Sequence, residues 1–288
     1  TSILPDRYVW CPVLYVGEYG KGVLAIKDNA SLTHRFNLGQ NGGSAGAVYQ
    51  SGGTVTNWGG GSTDARIGQN GYGYYKLSGG SLAFKGWSQI GCMPSGVGIL
   101  EVSGGSFTQL TDFDGDLGIS RGGTGVVYVA GGSFYTASDL WVGDQNESSS
   151  SGGFADFTVT GGKATVNGII DMANRNNMQA MVNLNGGVTE ANQIRREIRS
   201  NAPATVGFNG GTFLAHSSSA LFGTGSYAPD AVSIYAGGAT FDTTNYSCSV
   251  SVPLLAPKGL GVSSIIIDAT SGYIAPPMVA ISGGGGTG

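Results

Sequence analysis

Gly-Gly doublets punctuate this chain at nearly constant spacing, beginning at Gly52, Gly79, Gly104, Gly131, Gly161, Gly186, Gly210 and Gly237. Their separations are 27, 25, 27, 30, 25, 24 and 27 residues. A period near 25 sustained over most of a sequence marks stacked supersecondary units, each too small to bury an apolar face alone.

The pattern inside one period defines the unit. Four residues before each doublet stand Val48, Tyr75, Leu100, Val127, Phe157, Val182, Val206 and Ser233, and two before it Gln50, Leu77, Val102, Val129, Val159, Leu184, Phe208 and Tyr235. Mostly apolar residues at these offsets, separated by mostly polar ones, give a strand with one buried face. A second strand starts two residues after the doublet, at Val55, Leu82, Phe107, Phe134, Ala164, Thr189, Phe213 and Thr240. A third ends in a single glycine at Val16-Gly17, Leu38-Gly39, Ile67-Gly68, Ile90-Gly91, Leu117-Gly118 and Val142-Gly143. The residues ahead of these, Tyr15, Asn37, Arg66, Gln89, Asp116 and Trp141, form a mixed column expected to face solvent. The fold predicted is all-β: a single-stranded right-handed parallel β-helix, a β-solenoid with three short strands per coil of about 25 residues. Nine or ten coils stacked at ~4.8 Å would make a rod roughly 45 Å long. The coils are expected over residues 1–245, with 246–288 a glycine-rich β segment continuing or closing the solenoid. Glu190–Arg199 has helical spacing at Ile194 and Ile198 but falls where a coil strand is due.

Composition removes several alternatives. Fifty-three glycines would suit disorder, but 40% hydrophobic residues with 13 Tyr and 11 Phe argue for a folded core. Fourteen basic against 18 acidic residues, a net charge of −4, leave no basic stripe for nucleic acid. No apolar run approaches the ~20 residues of a membrane span. Cys11, Cys92 and Cys248 match neither a CxxC metal pattern nor a disulfide framework, and Cys11 and Cys92 are expected about three coils apart, too far to bond.

Ser78-Gly-Gly-Ser-Leu82, Asp139-Leu-Trp-Val-Gly143 and Gly122-Gly-Thr-Gly-Val-Val-Tyr-Val-Ala-Gly-Gly132 resemble the autotransporter-associated β-strand repeats of bacterial surface proteins. The resemblance covers about residues 12–245 and implies a β-helical passenger or surface stalk, secreted and extracellular at the cell surface. The tail from Ser271 is similar to a glycine-rich β motif of surface and phage tail proteins, in which the chain usually continues.

Candidate sites are few. Asp64, Asp114 and Asp139 each precede a third-strand glycine by four residues, where an Asp accepts backbone N–H groups at a corner. Asp112, Asp114 and Asp116 have the oxygen density of a weak surface calcium site but lack the bidentate Glu of an EF-hand. No other cofactor is expected. His34 and His216 are too distant in the repeat to share a metal. Outward aromatics are the stronger surface signal: Tyr49 and Tyr128 three before a doublet, Tyr15 and Trp141 in the third-strand column, all candidates for stacking on glycans. With no convergent polar cluster, the expected role is a structural rod or adhesin, not an enzyme. The alternatives are a glycan-binding module or a polysaccharide-active β-helix enzyme. An open solenoid exposes strand edges at its ends, so the expected partners are further coils or other copies of the chain, stacked into filaments.

Overall fold

The computed structural model describes residues 13–57, 65–110, 116–144, 152–174, 177–197, 201–258 and 272–279. They form a parallel β-solenoid of about nine turns. Among the described residues the helical content is a single 3-10 turn, Gly225–Tyr227. Each interior strand pairs in parallel with strands one coil before and after it.

Three walls enclose the core. The first wall holds the strands before the doublets, from Lys21–Ile26 in coil 1 through Val97–Val102 in coil 4 and Thr124–Val129 in coil 5 to Leu254–Leu255 in coil 10. The second holds those after the doublets, from Ser31–Thr33 to Thr240–Asp242. In coils 2 and 3 one strand continues round the doublet corner, as Ala45–Thr56 and Tyr72–Lys85. The third wall is a separate sheet of eight strands, from Val13–Val16 to Gln193–Arg196.

Alternation along each strand points every second side chain inward, and parallel register stacks these into columns. Leu24, Val48, Tyr75, Leu100, Val127, Phe157, Val182, Val206 and Val232 form one such column, all buried. Each is worth roughly 1.5–3 kcal/mol of burial. Aromatic rings run on through the centre: Phe107 lies 5.3 Å from Phe84 and 4.9 Å from Phe134, which is 5.5 Å from Phe157. Gln50 is polar and fully buried in the neighbouring column, yet satisfied. Its Oε1 accepts from the Tyr75 hydroxyl at 2.5 Å, and its Nε2 donates to the carbonyl of Ser81 at 3.0 Å.

The structure corrects the expected register in two coils. In coil 5, Ile119, not Leu117, stands opposite Ile90 and Val142. Ser120 takes the corner at φ 59° in place of a glycine, its hydroxyl donating to the Gly123 carbonyl at 2.6 Å. Gly118 therefore occupies the outward column assigned to Asp116, and Asp116 aligns with Asp139 where Asp114 was expected. In coil 9, Val232, Ile234 and Phe241 replace Ser233, Tyr235 and Thr240 in the buried columns, a slip of one residue. Val188–Ala191 and Gln193–Arg196 are strands, so the helical spacing at Ile194 carries no helix. One column was not foreseen: Gly22, Gly46, Gly73, Gly98 and Gly125 followed by Ala155, Ala180 and Ala204, where the third wall turns into the first. Cys11 lies outside the described residues, and Cys92 is buried with its thiol donating to the Gln89 carbonyl at 3.8 Å.

Candidate functional site

The outer surface of the first wall carries the richest chemistry. Its ladder Ala25, Tyr49, Lys76, Glu101, Tyr128, Thr158 and Asn183 runs along the rod, one residue per coil. Beside it run Val23, Ala47, Tyr74, Ile99, Val126 and Asp156. Lys76 pairs with Glu101 at 2.7 Å, and the Tyr74 hydroxyl donates to the same carboxylate. The Tyr49 and Tyr74 rings lie 5.7 Å apart. Burial pushes the Tyr72 and Tyr74 phenols well above their ordinary range, so both remain neutral donors.

Two coils on, Asp156 accepts from the Thr158 hydroxyl at 2.9 Å and from Asn183 Nδ2 at 3.0 Å. Burial lifts its carboxyl from 3.8 to about 6, against the pull of those two hydrogen bonds.

Residues 272–279 lie across this wall at its coil 1 end. Lys21 Nζ donates to the Gly272 carbonyl at 2.8 Å, the Tyr49 hydroxyl to that of Ile274 at 2.7 Å, and the Tyr72 hydroxyl to that of Pro276. A cavity of about 580 Å³ remains between segment and wall, lined by Ala45, Tyr72 and Val97 on one side and by Ile274, Pro277 and Met278 on the other.

The third wall carries a polar stripe. Asp171 is fully buried and meets Arg195 at 2.7 Å, whose guanidinium lies 5.5 Å from the Tyr227 ring. Burial raises Asp171 to about 6, with Arg195 opposing. Arg121 sits 4.2 Å from the centre of the Trp87 ring. On the second wall, Glu190 meets Lys163 at 2.7 Å and His216 at 2.8 Å. Burial alone would raise Glu190, but the hydrogen bonds from Lys163 and His216 hold it below its ordinary range.

The glycan candidates do not converge. Tyr49 and Tyr128 share a ladder three coils apart, roughly 14 Å. Tyr49 is engaged by Ile274, whereas the half-buried Tyr128 accepts at its hydroxyl from Thr160 at 3.1 Å. Tyr15 and Trp141 stand on the third wall, five coils apart. Trp141 Nε1 donates to Asp116 at 3.0 Å, which fixes that carboxylate beside an indole. Asp112 and Asp114 lie outside the described residues. Asp139 caps the backbone N–H of Ile169 in the next coil at 2.7 Å. Among the described residues there is no group of three or more His, Cys, Asp or Glu side chains placed to hold a metal. No helix among them is long and apolar enough to cross a membrane. Sequence reasoning missed the seat of 272–279, because the donors and the segment are more than 200 positions apart; the two prolines were its only local sign.

Comparison with family models, with curated proteins and with solved structures finds no match to this chain.

Proposed function

We propose that this chain is an extracellular structural rod or adhesin of a bacterial surface, related to the autotransporter-associated repeat proteins. The observation that carries this reading is the continuous inter-coil register of the first wall through coils 4–8, which makes it a regular surface with one residue per coil. Such a lattice suits contact with repetitive polymers or with further copies of itself. The second wall adds outward-facing hydroxyls in ladder, Ser31, Thr54, Ser81, Ser106 and Ser133, with Ser81 donating to Thr54 at 3.2 Å. Carboxylates on the walls are spent on neighbours: Glu101 on Lys76, Glu190 on Lys163 and His216, Asp171 on Arg195. That supports a structural reading over hydrolysis or elimination at a polysaccharide. Antibody labelling of intact cells that express the chain, viewed by electron microscopy, tests the location. Label confined to the cell interior would overturn it, and release of oligosaccharides from a polysaccharide panel would overturn the non-enzymatic role.

Glycan contact is the second reading, favoured by the partly exposed Tyr128 ring on the first wall. On a glycan array, Tyr128→Ala is expected to weaken any binding at least tenfold while Trp141→Ala, bonded to Asp116, has a smaller effect. Equal binding by wild type and Tyr128→Ala would remove the first wall as the glycan surface.

A further inference from the structure

Residues 272–279, Gly-Tyr-Ile-Ala-Pro-Pro-Met-Val, are built to be bound as an extended strip. Pro276 and Pro277 fix their own φ and steer Ala275 and Pro276 away from helical backbone, so little conformational freedom is lost on docking. Neither proline has an N–H to leave unpaired. The carbonyls at 272, 274 and 276 all find donors, from Lys21 in coil 1, Tyr49 in coil 2 and Tyr72 in coil 3. Aromatic rings beneath a proline strip, with hydroxyls reaching its carbonyls, are the general chemistry of proline-segment recognition.

The seat is far from the strand that leads to it. Leu255 lies in coil 10, paired with Ser233 of coil 9, and Lys21 lies in coil 1. Nine coil spacings separate them, about 43 Å along the rod. Seventeen residue steps from Leu255 to Gly272 reach at most about 58 Å. Within one copy the segment thus gains its seat with limited length to spare, and the cavity of about 580 Å³ shows that the contact is incompletely packed. If a second copy stacks its coil 1 on coil 10, the same seat lies one to three coil spacings beyond Leu255, about 5 to 14 Å, well within reach.

We infer that the outer first wall of coils 1–4 is a docking site for the 272–279 segment of a second copy, so that each joint between stacked rods is stapled by an exchanged tail. This rests on the rod reading above, in which the walls suit contact with further copies of the chain, and supplies a mechanism for that contact.

The test is complementation between two full-length variants. Tyr49→Phe with Tyr72→Phe removes both hydroxyl donors from the seat and leaves the tail intact. Ile274→Asp with Met278→Asp spoils the tail and leaves the seat intact. Sedimentation and light scattering should show concentration-dependent oligomers for the wild type, at least tenfold weaker association for each variant alone, and a 1:1 dimer on mixing them, since only one joint can form. Circular dichroism unchanged from wild type confirms the fold of each variant. Association of both variants as tight as wild type would overturn the staple and leave end-to-end stacking standing. A wild type that stays monomeric at high concentration would overturn both. Variants that weaken association but fail to complement on mixing would assign the segment to its own copy and also overturn the exchange.

Discussion

A Cβ on Gly98 would lie 2.1 Å from the Ile67 carbonyl oxygen and 2.3 Å from the Gly91 nitrogen. Backbone cannot yield as a side chain does, so Gly98→Ala should destabilise by about 3 kcal/mol or more. Ala155, two coils along the same column, already carries a methyl group in the buried interior. There the reverse change, Ala155→Gly, should cost only about 1 kcal/mol. Thermal unfolding of the two variants measures the contrast, and equal losses would mean that the column does not set how closely the third wall approaches the first. The requirement at Gly98 is one of space, distinct from the left-handed corner at Gly91, where φ is 74°. Glycine density alone does not separate the two roles, which is why the doublets and single-glycine corners were legible in the sequence and this column was not.

Within a strand, the ladder positions decide how charge is tolerated. Asp156 gains stability for the fold in its protonated form, fully below its ordinary 3.8, and that contribution is lost as pH rises through about 6. One pKa unit is worth about 1.4 kcal/mol, so the full swing is up to about 3 kcal/mol. Asp156→Asn should therefore be the more stable protein at pH 8 and match wild type at pH 3. Denaturation at both pH values checks this; a variant less stable at pH 8 would mean that the bonds to Thr158 and Asn183 need the carboxylate. Glu190 has the opposite sign: its contribution is present above its ordinary 4.5 and is lost as pH falls. At this scale the strand alternation was read correctly over most coils, because an apolar residue every second position leaves one solution. It slipped where the marker glycine was replaced or displaced. Ser120 performs a glycine's turn in coil 5, and the extra corner residue before Gly237 moves Val232 into the place expected for Ser233.

Across the whole molecule, each coil touches chiefly the coils on either side, so stability is close to a sum of coil and interface contributions. The central coils 3–6 carry the phenylalanine stack and a largely apolar interior, whereas the last strands, Thr240–Asp242 and Leu254–Leu255, are largely exposed. Amide exchange is expected to be slowest at Leu100, Val127, Phe157 and Val182 and to quicken toward coil 10. Uniform protection along the chain would mean a single cooperative unit. Which surface meets which partner was the least legible level of all, since the contact of the proline strip with Tyr49 and Tyr72 depends on how the coils stack and the two prolines are its only local sign.

Because the backbone bonds between coils point along the rod while the strands run across it, tension drawn between Val13 in coil 1 and Leu255 in coil 10 would load the bonds of one coil at a time. Under that load the rod is expected to unspool coil by coil. Each released coil of about 25 residues would add roughly 80 Å of extended chain in exchange for one ~4.8 Å layer. A pull between those two coils is therefore expected to read out as a long, stepwise extension.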